Sequence, residues 1–149
     1  MIRLATKDDL PAMVALTEAF HKAAHLQRFA PWEASKWESW LTDVLASDQA
    51  TCIVADDEGV VGMAVAGVMP AYWNNDVKLL REAVLFVDPK HTGKGIGTEL
   101  IDELVDYAKS TGCQAVSVGT SQAMNPRSLG KLYRKLGFTL EEKAYIRRL

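Results

Sequence analysis

The residues most able to do chemistry lie in one stretch: Glu82-Ala83-Val84-Leu85-Phe86-Val87-Asp88-Pro89-Lys90-His91-Thr92-Gly93-Lys94-Gly95-Ile96-Gly97. It begins as a continuous apolar run, the pattern of a strand buried on both faces. Pro89 ends that run, because proline has no N–H for a ladder. Three glycines at alternate positions follow. Ile96, Leu100, Ile101, Leu104, Val105 and Ala108 then fall on one helical stripe. The order is strand, glycine-rich loop, helix. The first N–H groups of a helix have no internal partner and sit at the positive end of its dipole. Glycine lets the backbone approach a ligand and take positive φ. Together they form a seat for phosphate oxygens, with Lys90, His91 and Lys94 adding basic character. The spacing fits neither a Walker A loop nor a Rossmann fingerprint, and a glycine-rich turn can also be a plain strand-to-helix connection.

Other reactive side chains are scattered. His21 and His25 stand four apart, a spacing that could hold a metal, but no third ligand is evident. They read as surface or cleft-lining residues. Cys52 and Cys113 lie in apolar surroundings without a CxxC pattern, which reads as reduced core thiols of a cytoplasmic protein.

The elements that must position these groups follow from pattern. Ile2-Arg3-Leu4 reads as a short strand. Thr6 and Asp9 read as an N-cap with its returning carboxylate, opening a helix with Leu10, Met13, Val14, Thr17 and Phe20 inward. After Pro31-Trp32, Ser35 to Glu38 reads as a capping box opening a second helix, whose stripe is Trp37, Trp40, Leu41, Val44 and Leu45. Strands are expected over 51–55 and 60–68, joined by the turn Asp57-Glu58-Gly59. Gly62 and Gly67 suggest a bulge or a close approach there. Residues 70–76 read as a loop, more a hairpin connection than part of a pocket. Residues 114–118 read as a further strand, parallel to the 82–87 strand through a helical crossover. Asn125-Pro126 is an N-cap followed by proline at the first helical position, and Gly137 is placed to close that helix. Phe138 to Leu149 is rich in strand formers, with room for two short strands or one long one.

Two blocks of this sequence resemble the GNAT superfamily of N-acetyltransferases. The family's pyrophosphate loop reads Arg/Gln-x-x-Gly-x-Gly/Ala after a strand that often ends Val-x-Pro. Here Val87-Asp88-Pro89 precedes Thr92-Gly93-Lys94-Gly95-Ile96-Gly97, with Thr92 where the family has Arg or Gln. The second block is Asn125 with Leu132-Tyr133-Arg134-Lys135-Leu136-Gly137-Phe138, similar to the family's Asn…Leu-Tyr-x-Lys-Leu-Gly-Phe. The resemblance implies an α/β (α+β) fold. Its mixed, mostly antiparallel central sheet would carry a splayed parallel strand pair and be flanked by about four helices.

It also implies a reaction: transfer of an acetyl group from acetyl-CoA to an amine, without a metal. The pantetheine arm would pair with the strand at Leu85, Phe86 and Val87. The pyrophosphate would rest on Thr92, Gly93, Lys94, Gly95, Ile96, Gly97 and Thr98. Asn125 would hold the lower pantetheine or the final helix, while Arg127 and Lys131 stand near coenzyme phosphates. Tyr133 matches the family's general acid and Glu82 stands where several relatives carry a catalytic Glu. Trp32 and its neighbours would line the acceptor side. A homodimer is implied in the same way. A non-catalytic acyl-CoA-binding module is the competing expectation.

Bulk properties narrow the rest. A chain of 149 residues is one domain's worth, and 48% hydrophobic with 24% charged residues is ordinary for a soluble globular protein. A net charge of −2 gives no electrostatic case for nucleic acid or anionic membrane. No apolar run is long enough to span a bilayer, and the N-terminal residues lack the apolar core of a signal peptide. The acceptor, a small molecule or a protein amine, is left open.

Overall fold

The computed structural model describes residues 1–149. Its five strands lie in chain order: β1 (Ile2–Leu4), β2 (Ala50–Asp56), β3 (Val60–Ala71), β4 (Asn74–Val87) and β5 (Ala115–Ser117). The first four pair antiparallel, and β5 lies parallel to β4. The helices are α1 (Leu10–Ala23), α2 (Ala34–Ala46), α3 (Ile96–Ser110) and α4 (Pro126–Lys135). The mixed sheet and its four helices agree with the architecture expected above.

The sheet is covered on both sides, and β4 shows why its second half is apolar throughout. Val84 and Phe86 face a cluster with Met13 and Leu16 of α1, Leu41 of α2, and Val54, Met63 and Val65. Leu85 and Val87 face the other way, against the cluster of Leu100, Leu104 and Ala108 on α3. Successive side chains of a strand point to opposite faces, so a doubly covered strand must be apolar at every position. Burying each large side chain contributes roughly 1.5–3 kcal/mol. Phe20 of α1 meets Phe86 edge-on with ring centroids 5.7 Å apart. That contact fixes the last turns of α1 against the second half of β4.

Several boundaries differ from the sequence expectation. The hairpin between β3 and β4 is tighter: both strands run through residues 70–76, leaving Tyr72-Trp73 as the connection. The ladder is irregular between Pro70 and Ala71, where a proline is tolerated near a strand end. The capping box at Ser35 does not form. α2 opens two residues earlier, with Glu33 as its extended N-cap residue, and its first residues are exposed to water that can satisfy their N–H groups. The C-terminal strands are also absent. Residues 138–149 have strand-forming composition but no ladder partner, and β-propensity without a pairing edge does not make a strand. Leu140, Tyr145, Ile146 and Leu149 are exposed in this segment.

The N-terminal side is tied by one ion network. Arg3 donates to both oxygens of Asp9, at 2.7 and 2.8 Å, and to Asp56 at 2.7 Å. Asp9 also accepts from the Thr6 backbone N–H and hydroxyl, at 2.8 and 3.2 Å. The Arg3 hydrogen bonds hold the Asp9 carboxyl far below the usual carboxylate range, against the opposing effect of burial. A depressed pKa stabilises the fold fully above the unfolded value of ~4, and the stabilisation is lost as pH falls below it. Asp9→Asn should therefore lower the melting temperature near neutral pH and flatten its decline below pH ~4. Thermal melts across that range check this; an acid limb parallel to wild type would contradict it.

Candidate active site

The site forms where β4 and β5 part. β5 pairs with β4 only from Leu79 to Arg81. From Glu82 to Val87, β4 keeps β3 on one side and has no strand on the other. Such an edge presents unpaired N–H and C=O groups in a row, ready to accept an extended ligand as one more strand. A bulge begins the bare segment: Val65 opposes Val84 and Ala66 opposes Glu82, so Ala83 is the extra residue. Bulges bend a strand and re-aim its groups. A second irregularity lies on β3 beside Gly62, where Ala55 opposes Gly62 and Asp56 opposes Val60, so Val61 is the extra residue. Gly62 also provides a close approach, since a Cβ there would stand 3.1 Å from the Phe86 carbonyl oxygen.

The bare edge runs directly into the glycine loop. Asp88 caps a short turn by accepting from the Lys90 N–H at 2.8 Å. Thr92 turns its hydroxyl back onto the Pro89 carbonyl at 2.9 Å. Gly93 and Gly95 have φ of 80° and 84°, the left-handed region that glycine enters without strain. Gly95 is the N-cap position of α3 and contributes no side-chain cap, so the amides at the start of that helix are left for a ligand. Lys94 points away, toward Asp57 at 3.8 Å.

A cavity of about 980 Å³ joins these parts. Leu85, Phe86 and Val87 line it from β4, Thr92, Gly93 and Gly97 from the loop, and Asn125 from the start of α4. Lys94, Gly95, Ile96, Thr98, Arg127 and Lys131 do not line it. Asn125 caps α4 by accepting from the Ser128 N–H at 3.4 Å. The opposite wall is the end of α1, with Ala19, Lys22, Ala23 and His25. Lys22 was not a sequence candidate; an exposed lysine on an amphipathic helix carries no signal of its own.

Glu82 and Tyr133 lie outside that lining but are brought together by a residue the sequence did not single out. The Gly119 N–H donates to Glu82 Oε2 at 2.9 Å. The Tyr133 hydroxyl donates to the Gly119 carbonyl, also at 2.9 Å. One glycine beyond β5 therefore carries both groups, across the gap where the strands separate. Burial raises the Glu82 pKa above the ordinary carboxylate value, partly offset by the Gly119 N–H. Burial also raises the Tyr133 pKa, and the nearby Glu82 charge adds to that effect.

The connection between α1 and α2 is anchored rather than open. His21 is buried, with Nε2 2.9 Å from the Ala30 carbonyl. Trp32 donates its indole N–H to Thr17 at 3.0 Å and does not line the cavity. No group of three His, Cys, Asp or Glu side chains is arranged to hold a metal. Cys52 and Cys113 are unbridged, and burial pushes the Cys52 thiol up to about 12.

The Gly119 clasp is testable by unfolding. Glu82→Ala leaves the Gly119 N–H without its partner and should cost about 1–3 kcal/mol. Glu82→Gln keeps an oxygen acceptor and should cost clearly less. Urea titration measures both, and equal losses would show that the hydrogen bond contributes nothing.

The model of the "Acetyltransferase (GNAT) family" matches residues 14–138. An uncharacterized N-acetyltransferase of Methanocaldococcus jannaschii is 28% identical over 98% of this chain and 62% of its own length. An L-methionine sulfoximine/L-methionine sulfone acetyltransferase of Salmonella typhimurium is 33% identical over 59% of this chain and 50% of its own length. The chain thus spans between half and two thirds of these curated relatives. A predicted acetyltransferase of Clostridium acetobutylicum, solved with acetyl-CoA, superposes with a TM-score of 0.76 at 18% identity, over 99% of this chain and 95% of that one. The chain belongs to the acetyltransferase (GNAT) family.

Proposed function

We propose that this family member moves an acetyl group from acetyl-CoA to a primary amine by direct attack. The observation that carries the reading is the bare edge of β4 running without a break into the glycine loop, along one cavity. The pantetheine arm lies along Leu85 to Val87 as an added strand, and the diphosphate rests on the amides of residues 92–97. This fixes the thioester beside the bulge at Ala83, so orientation lowers the barrier before any proton moves.

The amine nitrogen attacks the thioester carbonyl carbon, and the C–N bond forms as the C–S bond breaks. The nitrogen gives up a proton and the departing sulfur needs one. Glu82 takes the first, directly or through a water molecule. Its raised pKa brings it closer to neutrality and makes it a better base than an exposed carboxylate. Tyr133 supplies the second. Its raised pKa keeps the phenol protonated at neutral pH. To reach the sulfur the hydroxyl must leave the Gly119 carbonyl that it contacts in the free protein. That contact also favours a second reading, an acyl-CoA-binding module in which Tyr133 only braces α4 against the segment after β5.

Thiol release from acetyl-CoA with a panel of small amines and peptides separates the readings. Turnover supports transfer, and binding without thiol release supports the module. Tyr133→Phe should lose about 10²–10⁴-fold in rate with its coenzyme affinity retained; an unchanged rate would remove Tyr133 from the acid role. The rate should fall as pH drops through a value above the ordinary carboxylate range, and Glu82→Gln should abolish that limb. A limb that survives the substitution would assign the base elsewhere.

A further inference from the structure

The cavity has only two side chains able to carry charge, Lys22 and His25, and no acidic residue lines it. Neither has an ion-pair or hydrogen-bond partner for its side chain within the protein. Both stand on the α1 wall, facing the loop residues Thr92 and Gly93 across one shared space. The Phe20–Phe86 contact holds this end of α1 against β4, so the backbone positions that carry the two side chains are fixed by the core.

The loop itself offers a diphosphate little cationic side-chain help. Thr92 spends its hydroxyl on Pro89, Lys94 leans toward Asp57, and Lys90 and His91 do not line the cavity. The cationic side chains that do line the cavity stand on the opposite wall. His25 also has φ 55° and ψ 32°, a left-handed conformation directly after α1, where glycine is the usual residue. A non-glycine side chain there is strained, and strain of this kind clusters at ligand-holding positions.

We infer that Lys22 and His25 form a second half of the phosphate site, closing on the cofactor's diphosphate from α1 while the loop amides hold it from below. The inference rests on the acetyl-CoA reading above. It assigns to the far wall of the cleft the cationic contact that position 92 does not supply. An ammonium and an imidazole N–H facing phosphate oxygens make charge-assisted hydrogen bonds, the stronger class.

Calorimetric titration of wild type, Lys22→Ala and His25→Gly with coenzyme A, dephospho-coenzyme A and pantetheine tests this. His25→Gly relieves the left-handed strain and should melt at or above the wild-type temperature, which separates loss of binding from loss of fold. Each variant should bind coenzyme A and dephospho-coenzyme A, which both carry the diphosphate, about tenfold more weakly than wild type. Pantetheine, which has no phosphate, should bind all three proteins alike. Coenzyme A affinity unchanged in both variants would overturn the inference and leave the acetyl-CoA reading standing; it would point to an anionic acceptor as the partner of these side chains. Pantetheine affinity falling in parallel with coenzyme A would also overturn it, by showing that the side chains only shape the wall. Wild-type protein that binds none of the three ligands would overturn the acetyl-CoA reading itself.

Discussion

The separation of β4 from β5 governs the rest of the structure. A parallel ladder of three residue pairs ends at Arg81 and Ser117, and the next six residues of β4 lose their neighbour on that side. Backbone groups removed from a ladder must find other partners or face a ligand. Here the gap is not filled by another strand. It is spanned only at its apex, by the hydrogen bonds that Gly119 makes to Glu82 and Tyr133. The same clasp that limits the split places a carboxylate and a phenol at its narrow end.

Every covering element has a part in keeping that edge open and in place. α3 and α1 bury the two faces of β4, so the bare strand is rigid although one edge is unpaired. α3 begins just past the glycine loop, and its unpaired amides offer a second set of donors beyond those of the bare edge. Gly93 and Gly95 make that corner possible by taking left-handed φ. α1 crosses the sheet and ends over the cleft, held there by Phe20 on Phe86 and, at its other end, by the ion network of Arg3 with Asp9 and Asp56. α4 returns with Asn125 at its cap and closes with Gly137, whose N–H donates to Arg134 while that of Phe138 donates to Tyr133. The hydrogen bonds at both ends of α4 set the position of Tyr133.

What the sequence revealed follows from how local each signal is. The doubly buried strand, its proline stop, the glycine loop, the stripe of α3 and the Asn125-Pro126 cap are all written in consecutive residues, and they formed at the expected places. The parallel pairing of 115–117 with β4 was legible from the order strand, helix, strand. Features that depend on partners were not. Residues 138–149 have strand composition, but a strand needs an edge to pair with, and composition does not say whether one is offered. The Ser35 capping box was defeated by a helix that starts two residues earlier, where solvent can do the capping. An irregularity does lie beside Gly62, at Val61, but the further bulge at Ala83 has no local signal, because register across β3 and β4 decides which strand carries the extra residue. Gly119 and Lys22 carry no sequence signal, since their importance comes from what the fold brings opposite them.

On the proposed reading, two sets of unpaired amides, one on the bare edge of β4 and one from the glycine loop into the start of α3, receive a coenzyme A thioester. Backbone hydrogen exchange with and without acetyl-CoA tests it most directly. The expected result is new protection at Leu85–Val87 and at residues 92–97, with β1 and β2 unchanged. Protection confined to other parts of the chain, or no change at saturating cofactor, would contradict it.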